Sequence, residues 1–181
     1  KVIKFATDIT ARRKERALND GVLTAIDRSQ AMIEFDLTGK ILKANANFLK
    51  TMGYSEGEVV GKHHSMFVAP GYAQSTEYKD FWASLRRGDV QAAQFKRLAK
   101  GGREVWLEAT YNPIFDQNGK PERVIKLAAD ITEQVQLLID LKAMIDNNFT
   151  EIDSNIASLD KAALSGTSAA AQSSNSVQTV A

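Results

Sequence analysis

Apolar positions along this chain change their rhythm twice, and each change marks a boundary. From Ala11 to about Ala31 they keep helical spacing, with Leu18, Val22, Ala25, Ile26 and Ser29 sharing one face. Gly21 weakens that helix in its middle. Short segments follow. Met32–Asp36 and Ile41–Ala44 read as strands around a turn at Leu37–Lys40, where Gly39 supplies the positive φ a tight hairpin needs. Asn45 to Met52 reads as a short helix, and Ser55 is placed to cap a second one over Glu56–Val60, closed by Gly61. A longer helix is expected from about Gln74 to Arg87, with Tyr78, Phe81, Trp82 and Leu85 on one face and Gly88 ending it.

From Asp89 the period becomes two. Val90–Leu98, Arg103–Phe115 and Arg123–Ile131 read as a meander of three strands, turned at Gly101-Gly102 and at Asp116-Gln117-Asn118-Gly119. In the middle strand Val105, Leu107, Ala109 and Tyr111 point one way; Trp106, Glu108, Thr110 and Asn112 point the other. After Thr132 the spacing becomes heptad-like through Ile131, Val135, Leu138, Lys142, Ile145, Phe149, Ile152, Ile156, Leu159 and Ala163. Lys142 interrupts the seam, while Leu141 and Met144 offer a competing frame. From Gly166 onward the chain turns Ser/Ala/Gln-rich and reads as a weak helix or a disordered end. Two strands, several short helices and a three-strand meander predict an α+β domain, a five-stranded antiparallel sheet with helices on one face.

An internal repeat sharpens this picture. Lys1–Thr10, KVIKFATDIT, matches Arg123–Thr132, RVIKLAADIT, at seven of ten positions. Positions 1–10 are therefore expected to be the last strand of a preceding domain of the same kind. Residues 11–30 become a linker helix, 31–132 the whole domain, 133–165 a coiled-coil-like helix and 166–181 the start of something further. Asp8 and Thr10, like Asp130 and Thr132, stand where strand gives way to helix, and both residue types are good N-caps.

Composition removes several classes of function. The formal charge is +1, so no strong field argues for nucleic acid or a membrane surface. Neither an apolar run long enough to span a bilayer nor a signal peptide is seen. With no cysteine there is no disulfide, no thiolate metal site and no covalent thiol adduct, which fits a cytoplasmic setting. No nucleophile elbow or phosphate-cradling loop is present, so no enzyme activity is expected. His63 and His64 are the only histidines and form the one hint of a metal site, although adjacent histidines more often satisfy solvent and a loop carbonyl. Trp82 fits the core at its helical spacing.

The order of motifs resembles the PAS family of sensory domains over Ala25–Thr132. The likeness rests on the hairpin, on Asn45-Ala46-Asn47-Phe48, on Gly53-Tyr54-Ser55, on Val60-Gly61-Lys62 and on the closing Asp130-Ile131-Thr132. Ser173–Ala181 resembles the opening helix of a chemoreceptor signalling domain, so the whole looks like part of a tandem-PAS methyl-accepting chemotaxis protein. The resemblance implies a bacterial signal-transduction sensor that works as a homodimer, with the downstream signalling domain, a chemotaxis histidine kinase and a coupling protein as partners. It also implies two candidate cofactors: haem b held by His63 or His64, or FAD beside Trp82 and Asn47. An unliganded dimeric relay is the third possibility, and a scaffold or the sensor of another PAS-linked signalling enzyme are its rivals. Signal relay would pass through Asp130 and Thr132, with bonding to the incoming segment near Arg28, and through Asp8 and Thr10 one domain earlier.

Overall fold

The computed structural model describes residues 10–178. The strand expected at the start of the repeat, with Asp8, lies outside the described residues, as do the last three residues. Thr10 opens the first helix. The chain divides into two compact units after Glu133.

In the first unit, helix α1 (Thr10–Ser29) leads into strands β1 (Ala31–Asp36) and β2 (Ile41–Ala44). Helices α2 (Ala46–Met52), α3 (Glu56–Val59), α4 (Pro70–Ala73) and α5 (Thr76–Arg87) follow, with a 3-10 turn at His64–Phe67. Strands β3 (Gln91–Leu98), β4 (Glu104–Phe115) and β5 (Pro121–Asp130) close the unit. The strands form one antiparallel sheet in the order β2-β1-β5-β4-β3. The last strand therefore sits at the centre, between the first strand and the longest, and β3 is a free edge. A closing strand placed there pairs with both halves of the sheet.

Period-two alternation decides which side chains meet the helices. Ile33 and Phe35 of β1, Val105, Leu107, Ala109 and Tyr111 of β4, and Val124 and Ala128 of β5 are buried. They pack with Phe48, Met52, Val59, Phe67, Tyr78, Trp82 and Leu85 from the helical segment. At ~25 cal/mol per Å² of apolar surface removed from water, large side chains like these dominate the fold's stabilisation.

Where the expected elements moved, the cause is local. The helix expected over Gln74–Arg87 forms as α5, two residues shorter at its start, and a separate short helix, α4, precedes it. Pro70 sits in the first turn of α4, where a missing N–H costs nothing. Ser75 then starts α5 afresh, its Oγ accepting from Tyr78 N–H at 3.1 Å. Asn45, expected as the first residue of a helix, is instead its N-cap: its Oδ1 accepts from Phe48 N–H at 2.9 Å and from Met32 N–H at 2.9 Å. The amide nitrogen of Asn45 donates to the carbonyls of Asp27 and Gln30 at the end of α1. One side chain thus fixes α2, β1 and the incoming helix together. The apolar face of α1 is only partly covered, since Leu18 and Val22 are exposed and Ile26 is half-buried.

The second unit belongs to one helix, α6, which runs from Thr132 to Gln178, 47 residues. At 1.5 Å per residue that is about 70 Å. It continues beyond Gly166, where the sequence suggested a weak helix or disorder. Leu138, Ile145, Phe149, Ile152, Ile156 and Leu159 are all exposed along it, at the spacing of the seam. Lys142, the seam's interruption, pairs with Asp146 one turn on at 2.7 Å. No helix among the described residues is long and apolar enough to cross a membrane.

Candidate functional site

The interior face of the sheet holds a polar cluster inside an aromatic shell. His64 begins the 3-10 turn and is 1 % exposed. Its Nδ1 lies 2.8 Å from the Tyr78 hydroxyl and its Nε2 lies 3.0 Å from the Tyr111 hydroxyl. Phe35 and Trp82 meet the imidazole edge-on, with ring centroids 5.3 and 5.5 Å away. Burial first, then the positive charges of Arg97 and Lys126, holds His64 well below the usual imidazole range, so the ring is neutral. A neutral imidazole has one donor and one acceptor nitrogen, and the two hydroxyls satisfy both.

Arg97 and Lys126 complete the cluster. They are 5 % and 2 % exposed, projecting inward from β3 and β5. The Arg97 guanidinium carbon stands 4.6 Å from the Phe95 ring centroid, and its Nη2 donates to the Tyr111 hydroxyl at 3.5 Å. Lys126 Nζ lies 4.9 Å from the Tyr111 ring centroid and 6.0 Å from that of Phe48. Among the described residues no carboxylate pairs with either cation; the ion pairs lie at the surface. Among the described residues Arg97 Nε and Trp82 Nε1 are buried with no hydrogen-bond partner. The local potential is visible in Tyr111. Burial works to raise its pKa, yet Lys126 and Arg97 outweigh burial and bring it below the usual phenol value. Burial pushes Tyr78 up to about 12. Burial likewise lowers Lys126 from the ordinary lysine value.

The residues singled out in the sequence separate into inside and outside. His64 and Trp82 lie in the cluster. His63 lies at the surface; its Nε2 bonds the Thr38 carbonyl at 2.8 Å and its Nδ1 lies 2.9 Å from the Ser65 hydroxyl. Asn47 also faces outward, its amide nitrogen donating to carbonyls at the end of α1, including Asp27 at 3.1 Å. A haem iron needs a free imidazole nitrogen beside an open cavity, and both nitrogens of both histidines are engaged. Nor does any group of three His, Cys, Asp or Glu among the described residues converge on a metal position. Trp82 and Asn47 are engaged apart from each other: Trp82 packs on Phe35 and Phe81 in the core, while Asn47 is bonded to the incoming helix. As folded here, these residues fit neither group.

At the end of β5 Asp130 and Thr132 are bonded to each other. The Trp106 N–H donates to Thr132 Oγ1 at 3.0 Å, and the Ile131 N–H donates to the Trp106 carbonyl at 2.9 Å. Asp130 Oδ1 accepts from Thr132 N–H at 3.0 Å and from the Thr132 hydroxyl. The first residue of α6 is thereby fastened to β4, with Asp130 bracing the fastening. Among the described residues no hydrogen bond joins Asp130 or Thr132 to the incoming segment near Arg28; Thr132 is bonded to Trp106 of β4 instead. Residues Val105 and Leu107, on either side of Trp106, face the interior cluster.

Arg97 and Lys126 escaped the sequence reading. A signal was present: both stand on the inward parity of their strands, next to Phe95 and between Val124 and Ala128.

The family model described as PAS fold matches residues 41–128. The biofilm dispersion protein BdlA of Pseudomonas aeruginosa is 44% identical over 136 residues, which cover 75% of this chain and 33% of that protein. The aerotaxis receptor of Escherichia coli is 26% identical over 108 residues, covering 60% of this chain and 21% of the receptor. The chain thus spans a third or less of the length of these two relatives. Among solved structures, a PAS domain of a protein from Colwellia psychrerythraea superposes with a TM-score of 0.56 at 24% identity, covering 64% of this chain and 98% of that one. An RNA-binding light-oxygen-voltage receptor superposes with a TM-score of 0.60 at 21% identity, covering 80% of this chain and 41% of that one. At those identities the likeness is one of fold.

Proposed function

The chain carries a PAS domain, and from that premise we propose that it is the sensory module of a taxis-type receptor. In this reading a change in the domain's interior alters the sheet. The sheet transmits the change through the Thr132 fastening to α6, and paired α6 helices carry it to a downstream signalling domain. That domain controls a chemotaxis histidine kinase with its coupling protein, on the cytoplasmic side. The module catalyses nothing; it shifts populations.

The observation that supports this reading most is the fastening of Thr132 and Ile131 to Trp106. A helix that merely followed a strand needs a cap, and Asp130 alone could provide it. Here the first residue of the helix, Thr132, is also bonded to the neighbouring strand, so movement of β4 and rotation of the first turn are linked. The exposed seam from Leu138 to Leu159 supports a homodimer, since two copies in parallel would cover each other's apolar stripe. The 44% identity to the biofilm dispersion protein and the match to the aerotaxis receptor favour a role in bacterial behaviour.

A second reading has its own observation. The interior is filled by His64, Phe35, Trp82 and Tyr111, which favours a relay or dimer scaffold that holds no haem b or FAD. One experiment separates the two. In the longer receptor that contains this module, reconstituted with its kinase, Asp130→Ala abolishes stimulus control of kinase activity if the module senses. It leaves that control intact if the module only dimerises.

A further inference from the structure

We propose that the interior cluster is the receiving end of a site for a small organic carboxylate, which enters along the free edge of β3 and docks its acid group against Arg97. The proposal rests on the sensory reading and names its ligand class.

Burying a cation is costly unless a partner neutralises it, and this domain buries two of them within reach of one phenol. Arg97 spends one Nη on the Lys96 carbonyl at 2.9 Å and the other on a long bond to Tyr111. Its Nε has no partner among the described residues. A guanidinium with a free N–H, backed by a second buried ammonium, is half of a bidentate carboxylate clamp. The depressed pKa of Tyr111 points the same way, since the cluster favours negative charge even where burial opposes it. The lysine also recurs. The stretch that repeats the closing strand carries Lys4 at the position matching Lys126, and the two repeats differ in the residue on its C-terminal side.

Access comes from a groove of about 470 Å³ that Arg97 itself lines. It runs along β3 against Val68, Ala69 and Tyr72, with Phe95 and Trp106 in its walls. Those walls suit an apolar body, and Arg97 gives the acid group its place. Glu104 also borders the groove, but Lys96 holds it in an ion pair at 2.6 Å, so it does not repel an anion unopposed. Because β3 is the sheet's edge, a ligand there displaces no ladder hydrogen bonds.

The test is calorimetric titration of the protein with sodium benzoate, with its neutral isostere benzamide, and with inorganic phosphate. The proposal expects saturable binding of benzoate, at least about tenfold tighter than that of benzamide or phosphate. It expects that preference to disappear in Arg97→Met and to weaken in Lys126→Met, both of which remove an unpaired buried charge and should fold. No saturable benzoate binding, equal binding of benzamide, phosphate binding as tightly as benzoate, or a preference that survives Arg97→Met would each overturn it. Binding is read without any signalling partner. A relay that fails while benzoate binds therefore counts against the sensory reading alone.

Discussion

The Trp106 N–H is bonded to the Thr132 hydroxyl oxygen, and the carbonyl of the same Trp106 accepts from Ile131. The ladder between β4 and β5 runs to Leu107 and Asp130, so this pair of bonds extends it past the end of the strand and into the first residue of a helix. Thr132 is both the last rung of the sheet and the start of α6.

The buried cations give the first prediction. Lys126 sits between Val124 and Ala128 on the inward face of β5, without a carboxylate partner among the described residues. Replacing it by methionine keeps the length and removes the desolvation cost. Lys126→Met is expected to raise the stability of the ligand-free protein by about 1–3 kcal/mol, read as a higher urea midpoint at unchanged slope. A fall in the midpoint would mean that the ammonium contributes more to the fold through the Tyr111 and Phe48 rings than its burial costs.

His64 gives the second. Burial, with Arg97 and Lys126, lowers its pKa well below the ordinary 6.5. The folded state then stays neutral where the unfolded state takes up a proton. Stability from this group is fully present above pH 6.5 and declines as pH falls below it, at up to about 1.4 kcal/mol per pH unit. Asp36 and Asp116 also have lowered values, but as carboxylates they lose their contribution only below the ordinary 3.8, a separate window. Denaturation midpoints measured from pH 7 to 5 should therefore fall more steeply in the wild type than in His64→Gln. Parallel slopes would place the acid sensitivity elsewhere.

Much of this architecture could be read from the sequence because it rests on parity and turns. The inward set Val105, Leu107, Ala109 and Tyr111 follows from strict alternation, and Gly39 and Gly119 mark hairpins where the backbone takes positive φ. The sequence also indicates the closing strand, through the repeat. The polar core was harder to foresee. His64 differs from His63 only by one position, yet that step moves a side chain from solvent to a site between two tyrosines. Asn47 sits in a recognisable motif, but its partner carbonyls belong to a helix some twenty residues earlier, which no local pattern reveals. Arg97 and Lys126 stand on the inward parity of their strands, but that parity signals burial only once the face of the sheet that the helices cover is known.

The seam on α6 gives the third prediction. Ile145 and Phe149 are exposed and adjacent on the stripe, where a groove also includes Ile152. Placing a charge in an apolar seam should prevent two helices from closing over it. Ile145→Asp or Phe149→Asp is expected to weaken self-association by at least about tenfold in sedimentation equilibrium. The circular dichroism of the sheet should not change. Association at wild-type strength in both variants would move the dimer contact away from α6.

Coupling between the interior and α6 is tested most directly by hydrogen exchange in a double-mutant cycle. Tyr111→Phe removes a hydroxyl from the interior cluster, and Thr132→Val removes the side-chain oxygen that accepts from Trp106. The account predicts that Tyr111→Phe alters protection of the backbone amides of residues 136–140 in the wild-type background. It predicts no such change once Thr132 is valine, and recovery when Thr132 is serine. If the effect of Tyr111→Phe reaches those amides equally with valine at 132, or never reaches them, the helix is not reading the interior through this bond.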